Sequence, residues 1–125
     1  MQPIETMIRR FSSAWATFDT DVILDAVTDD FRFGMANSDE VIKGKTAFAD
    51  WLHKMGSGDG GKATITHRQF LLDGDRAVLT GDLEITCELG TERLAFCDVY
   101  ELNGSKIKGL TAYLAKYGET IACPA

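Results

Sequence analysis

The sequence predicts an α+β fold in which helices come first and an antiparallel sheet follows. Three observations predict it. Apolar residues recur every three or four positions near the N-terminus, at Ile4, Met7, Ile8, Phe11, Trp15 and Phe18. From Lys62 onward apolar residues alternate instead, in four long runs. Between those runs stand Asp73-Gly74, Leu89-Gly90 and Asn103-Gly104, which are hairpin turn residues.

Residues 3–18 read as the first helix, and Pro3 suits its first turn. Asp19-Thr20-Asp21 is a break, where Asp19 or Thr20 can cap a short second helix over residues 21–27. Thr28-Asp29-Asp30 ends that helix, and Phe31-Arg32-Phe33 starts a short strand. Residues 37–43 read as an irregular loop. Gly44 leads into a third helix over residues 45–55, which buries Phe48, Trp51 and Leu52. The glycine-rich run 56–61 reads as a flexible connection, because neither side is large enough to stand alone. Strands follow at 62–72, 76–88, 91–102 and 106–114, and the tail 118–125 is expected to fray. Residues 1–125 are thus expected to form one domain.

With 45% hydrophobic and 26% charged residues, the chain can bury an ordinary core without help from disulfides or metal. The net charge of −6 argues against nucleic acid and against anionic membrane surfaces, both of which select cationic proteins. The N-terminus shows no basic region followed by an apolar run, so no signal peptide is expected. No stretch approaches the roughly 20 apolar residues of a membrane span. The three cysteines, Cys87, Cys97 and Cys123, are odd in number and form no C-x-x-C. They imply neither a disulfide framework nor a zinc site, and read as free thiols in a reducing, cytoplasmic setting. The 56–61 run lacks Gly-Lys-Ser/Thr and follows no strand, so it is not a phosphate loop. No cofactor and no metal is expected.

The main lead to function is Asp98. Alternation places Leu94, Phe96, Asp98, Tyr100 and Leu102 on one strand face, which is apolar but for this carboxyl. An ionised carboxylate there is costly unless it is paired or protonated. Asp98 is therefore either a buried structural hydrogen-bonder, with Trp15, Tyr113 or water as partner, or a donor to a ligand oxygen. His53, beside Lys54, reads as solvated. Asp82, Glu84, Thr86 and Glu88 share the outer face of their strand and read as solvated too.

The order of elements carries a resemblance. Thr28-Asp29-Asp30-Phe31 precedes a short strand, Ile42-Lys43-Gly44-Lys45 precedes a helix, and Asp98-Val99-Tyr100-Glu101-Leu102 leads to Lys106-Ile107 and Ala112-Tyr113. Over residues 4–117 this resembles the nuclear transport factor 2-like superfamily, and in particular its SnoaL-like members, related to polyketide cyclases and ketosteroid isomerases. The resemblance implies a cone, with a curved antiparallel sheet wrapped by the three N-terminal helices around an apolar pocket. It specifies a fold more than an activity. The three catalytic positions of ketosteroid isomerases fall on Phe11, Met35 and Asp98, and of the three residue types only the aspartate at Asp98 is kept. The Asp-Arg-Asp set of limonene epoxide hydrolases is lost as well: its last-strand aspartate falls on Ala112, and no arginine stands at the matching place on 76–88.

Thr66-His67-Arg68 resembles a stretch of SnoaL-like members in which a strand histidine lines the pocket. On that basis Asp98 and His67 are the candidate catalytic pair. The expected pocket wall is Phe11, Trp15, Met35, Trp51, Leu79, Leu83, Phe96, Tyr100, Leu110, Ala112 and Leu114. Gly81 and Ala112 are expected to leave room for the ligand. The expected function is binding of a small apolar, carbonyl-containing ligand. Whether cofactor-free isomerase, cyclase or lyase chemistry follows, or only binding or protein interaction, stays open. The outer face with Arg93, Ala95, Cys97, Val99 and Glu101, extended by Gly109, Thr111 and Tyr113, is partly apolar, and the resemblance implies a homodimer through it.

Overall fold

The computed structural model describes residues 3–56 and 62–118. Its elements run α1 (Pro3–Thr17), α2 (Thr20–Asp25), β1 (Val27–Met35), β2 (Val41–Lys43), α3 (Lys45–Gly56), β3 (Lys62–Asp73), β4 (Arg76–Cys87), β5 (Gly90–Asn103) and β6 (Lys106–Lys116). The expectations for residues 57–61 and 119–125 fall outside the described residues.

The apolar stripe of α1 turns Ile8, Phe11 and Ala14 into the core. The helix stops one residue before the expected end, because Phe18 adopts φ 51° and the Asp19 N–H closes back on the Ala14 carbonyl at 3.0 Å. A side chain in this left-handed region is strained. Edge-on contact of its ring with Trp15, at 6.0 Å, helps hold Phe18 there. Asp19 is the cap of α2, its carboxylate accepting from the Val22 N–H.

Thr28-Asp29-Asp30 does not separate a helix from a strand, as its polar character suggested. It lies inside β1, where the pairing with β6 shifts register between Val27↔Ile107 and Arg32↔Gly109. The irregularity absorbs these residues, and Thr28 Oγ1 donates to Asp30 at 2.7 Å. Within the expected loop 37–43, Val41–Lys43 forms the short edge strand β2, paired with β1. The three later hairpins stand where the turn residues put them, within one or two residues at each strand end. Gly74 and Gly104 adopt φ near 60° in their turns, a conformation open to glycine at no steric cost.

The sheet corrects the expected architecture. Its strand order is β2-β1-β6-β5-β4-β3, with β2 and β3 at its edges. It is open, not curled or closed into a cone. It is also mixed and not purely antiparallel, since β1 pairs with β6 in parallel. The helices lie on it separately: α1 packs on β3 and α3 on β1. The core between them holds Ile8, Phe11, Ile23, Phe31, Phe48, Leu52, Leu79, Tyr100 and Ile107, all essentially inaccessible.

The expectation of free thiols holds for Cys97 and fails for Cys87, which is disulfide-bonded. An odd cysteine count excludes pairing of all three, not of two.

Candidate functional site

A pocket of about 430 Å³ lies over β5 and β6, on the side of the sheet where α1 and α3 pack. Ser12, Trp15 and Phe18 close it from the α1 side, and Trp51 and Met55 from α3. Phe33 and Met35 of β1, Ile65 of β3 and Leu83 of β4 add to its walls. Its sheet wall is Phe96, Asp98, Leu110, Ala112 and Leu114. The aromatic side is a cluster of rings in contact: Trp15 meets Phe33, Phe48 and Trp51 with ring centroids 5.7 to 6.0 Å apart. Asp98 is the one ionisable side chain among the described residues that line the pocket.

Alternation along β5 turns Phe96, Asp98 and Tyr100 to this side. Phe96 is 7% exposed and Tyr100 fully buried. Burial pushes the Asp98 carboxyl up to about 7, against which a hydrogen bond from the Tyr100 hydroxyl, at 3.4 Å, pulls down. The same burial, with Asp98 beside it, pushes the Tyr100 hydroxyl well above its ordinary value. Asp98 is thus shared between its neutral and ionised forms near neutrality. It can donate a hydrogen bond to a ligand oxygen, or exchange a proton with one.

The expected wall residues Trp15, Met35, Trp51, Leu83, Phe96, Leu110, Ala112 and Leu114 all line this pocket. Phe11, Leu79 and Tyr100 do not; each is at most 1% exposed and is packed into the core. Phe11 stands edge-on to Tyr100 at 6.1 Å and borders a second, larger concavity beside α2. That concavity carries charges of both signs, Arg10, Lys45 and Lys106 against Asp21 and Asp25. The room at Gly81 is not ligand space. A Cβ there would come within 2.7 Å of the Phe96 ring and would collide with the Thr66 carbonyl. A bulge at Arg68, between the pairs His67↔Gly81 and Gln69↔Thr80, accompanies this close approach.

His67 and Asp98 do not bond to each other. His67 Nε2 lies 3.2 Å from Ser12 Oγ, while Asp98 takes its bond from Tyr100. Burial, and then Arg9, hold the imidazole below its ordinary value. Ser12, Phe18, Phe33, Met55 and Ile65 were not in the expected wall. Phe33 shares the alternation of Met35 and could have been found from it. Ser12 left no signal, being a small polar residue on a helix flank. Among the described residues no three His, Cys, Asp or Glu side chains group as metal ligands. No described helix is long and apolar enough to cross a membrane. On the outer face Asp82 is bound by the Tyr117 hydroxyl at 2.7 Å and by Arg68 at 2.5 Å, which hold its carboxyl below the ordinary value.

The family profile of a SnoaL-like domain matches residues 8–110. The chain belongs to the SnoaL-like family. Solved structures of the same fold surround this SnoaL-like protein. An NTF2-like protein of unknown function from Burkholderia pseudomallei superposes with a TM-score of 0.78 at 16% identity, covering 92% of each chain. An LEH-like epoxide hydrolase from M. tuberculosis gives 0.77 at 18% identity, over 90% of this chain and 83% of the other. TerC, co-crystallised with polyporic acid, gives 0.74 at 19% identity, over 89% and 90%. At such identities the likeness is one of fold. No curated protein matches the sequence significantly.

Proposed function

We propose that this SnoaL-like chain, acting as one domain, binds a small and largely apolar carbonyl compound in the pocket over β5 and β6. Asp98 polarises the carbonyl oxygen by donating a hydrogen bond from its neutral form. The observation that carries this reading is a buried carboxyl, pushed up to about 7 by that burial, at the wall of a mostly apolar pocket. Pockets of this kind, apolar with few polar points, suit small organic ligands. Two neighbours of the same fold point the same way: one is an epoxide hydrolase, and TerC was crystallised with polyporic acid.

Cofactor-free proton transfer on the bound carbonyl compound, as in isomerisation, cyclisation or dehydration, is the chemistry such a carboxyl can carry. One observation favours the second reading, binding without turnover. Tyr100, the hydroxyl nearest Asp98, is fully buried and already donates to it, so it does not reach a ligand. Epoxide hydrolysis is not proposed, because Ala112 of β6, paired with Asp98 of β5, stands where the hydrolases' last-strand aspartate falls. The outer sheet face, where Tyr113 is 51% and Leu71 65% exposed, is the surface through which we propose a homodimer. The disulfide at Cys87 weighs against the reducing cytoplasm expected from the cysteine count.

Calorimetric titration with 2-acetylnaphthalene, an apolar ketone, tests the reading. The wild type should bind. Asp98→Leu should weaken binding about tenfold, the worth of a good hydrogen bond. Ala112→Trp should abolish binding while thermal unfolding shows an intact fold. Equal binding by wild type and Ala112→Trp would overturn the assignment of the pocket.

A further inference from the structure

Ser12 is the polar point on the helix wall of the pocket. It is 4% exposed, yet it lines the cavity. Asp98 is the ionisable point on the facing sheet wall. The pocket therefore offers a hydroxyl from α1 and a carboxyl from β5, with Phe18 and Ile65 as apolar neighbours and the indoles of Trp15 and Trp51 in its aromatic wall. A ligand with two oxygens can give the hydroxyl and the carboxyl each a partner of its own.

The contact with His67 decides what Ser12 can offer. A serine hydroxyl has one donor and two acceptor sites. If Ser12 donates to His67 Nε2, both lone pairs stay free. If His67 donates to Ser12, one lone pair and the O–H stay free. Acceptor capacity survives in either tautomer, so the group served in both cases is one that donates. A ligand hydroxyl fits, since it can also accept when Ser12 has its own proton to give.

We propose that the pocket takes a hydroxycarbonyl compound, with its carbonyl at Asp98, its hydroxyl at Ser12, and His67 as the positioning residue that fixes the Ser12 rotor. This rests on the pocket reading above and narrows the ligand class. His67 touches no ligand; it acts through the 3.2 Å contact with Ser12. The sequence order hides the pair, because the two residues lie 55 positions apart.

Two probes differing by one hydroxyl test it, 2-acetylnaphthalene and 6-acetyl-2-naphthol, each titrated calorimetrically. The wild type should bind the hydroxyketone about fivefold more tightly than the ketone, as one neutral hydrogen bond allows. Ser12→Ala should erase that preference, and its thermal unfolding should show an intact fold. His67→Leu should erase the preference, and His67→Gln, which keeps a polar partner for Ser12, should restore part of it. The ¹⁵N shift of His67 Nε2 should move with the hydroxyketone and stay still with the ketone. If the wild type binds both probes equally, or Ser12→Ala keeps the preference, the second anchor is wrong while the pocket reading stands. If Ser12→Ala weakens both probes alike, Ser12 is packing and not an anchor. If the wild type binds neither, both readings fall.

Discussion

Replacing Asp98 by Asn should make the protein more stable, by an amount that grows with pH. The amide has the shape of the carboxyl and keeps an oxygen to accept from the Tyr100 hydroxyl. What it removes is the charge. In the folded protein the carboxyl is raised from 3.8 to about 7, chiefly by burial. A group raised in this way binds its proton more tightly when folded. Its stabilising contribution is complete below the unfolded value and is lost as pH climbs through the folded one. Each pKa unit corresponds to about 1.4 kcal/mol, so the full span is worth about 4 kcal/mol. The stability difference, variant minus wild type, should be flat below pH ~4, rise by about 1.4 kcal/mol per pH unit up to pH ~7, and level off above. His67, held below its ordinary value by burial and then by Arg9, contributes the opposite trend, losing stability as pH falls. It is present in both proteins and cancels in the difference. Urea denaturation of both proteins between pH 4.5 and 8.5 measures it. A difference that does not change with pH would mean that Asp98 titrates as an ordinary surface acid, and the donor role would go with it.

Gly81→Ala should cost about 1–3 kcal/mol, the usual penalty of overpacking, because the added methyl meets the Phe96 ring and a backbone carbonyl that cannot swing away. An unchanged urea midpoint would show that the bulge at Arg68 gives way freely. Light scattering at micromolar concentration should report twice the monomer mass, and a charge placed on the outer face, Val99→Lys, should halve it; a monomeric wild type ends the dimer proposal.

The hairpins between β3 and β6 were legible because their information is local. Alternation and turn residues stand within a few positions of one another, and they also show which residues of β5 share a face with Asp98. The raised pKa of Asp98 was legible for the same reason: Phe96 and Tyr100, two residues away on either side, desolvate it. The partners open to it from the sequence, Trp15, Tyr113 or water, did not include Tyr100, although Tyr100 stands two residues along the same strand face. The start of β1 was hidden because Thr28-Asp29-Asp30 has the composition of a break, and only its pairing with β6 makes it strand.

By itself the sequence determined the α+β order, the three helices, the four long strands, the apolar face that carries Asp98, and the likeness to SnoaL-like proteins. The tertiary structure decided what meets what. It paired β1 with β6 in parallel and left the sheet open with edges at β2 and β3, where a cone had been expected. It seated Phe96 over Gly81, put Leu79 and Tyr100 into the core instead of the pocket wall, and brought His67 to Ser12 instead of Asp98. The physical reason is one of range. Backbone periodicity and turn chemistry act over a few residues and can be read along the chain. Side chains dozens of residues apart are brought together by packing, where the volumes of many groups are settled at once and no short stretch of sequence records the outcome.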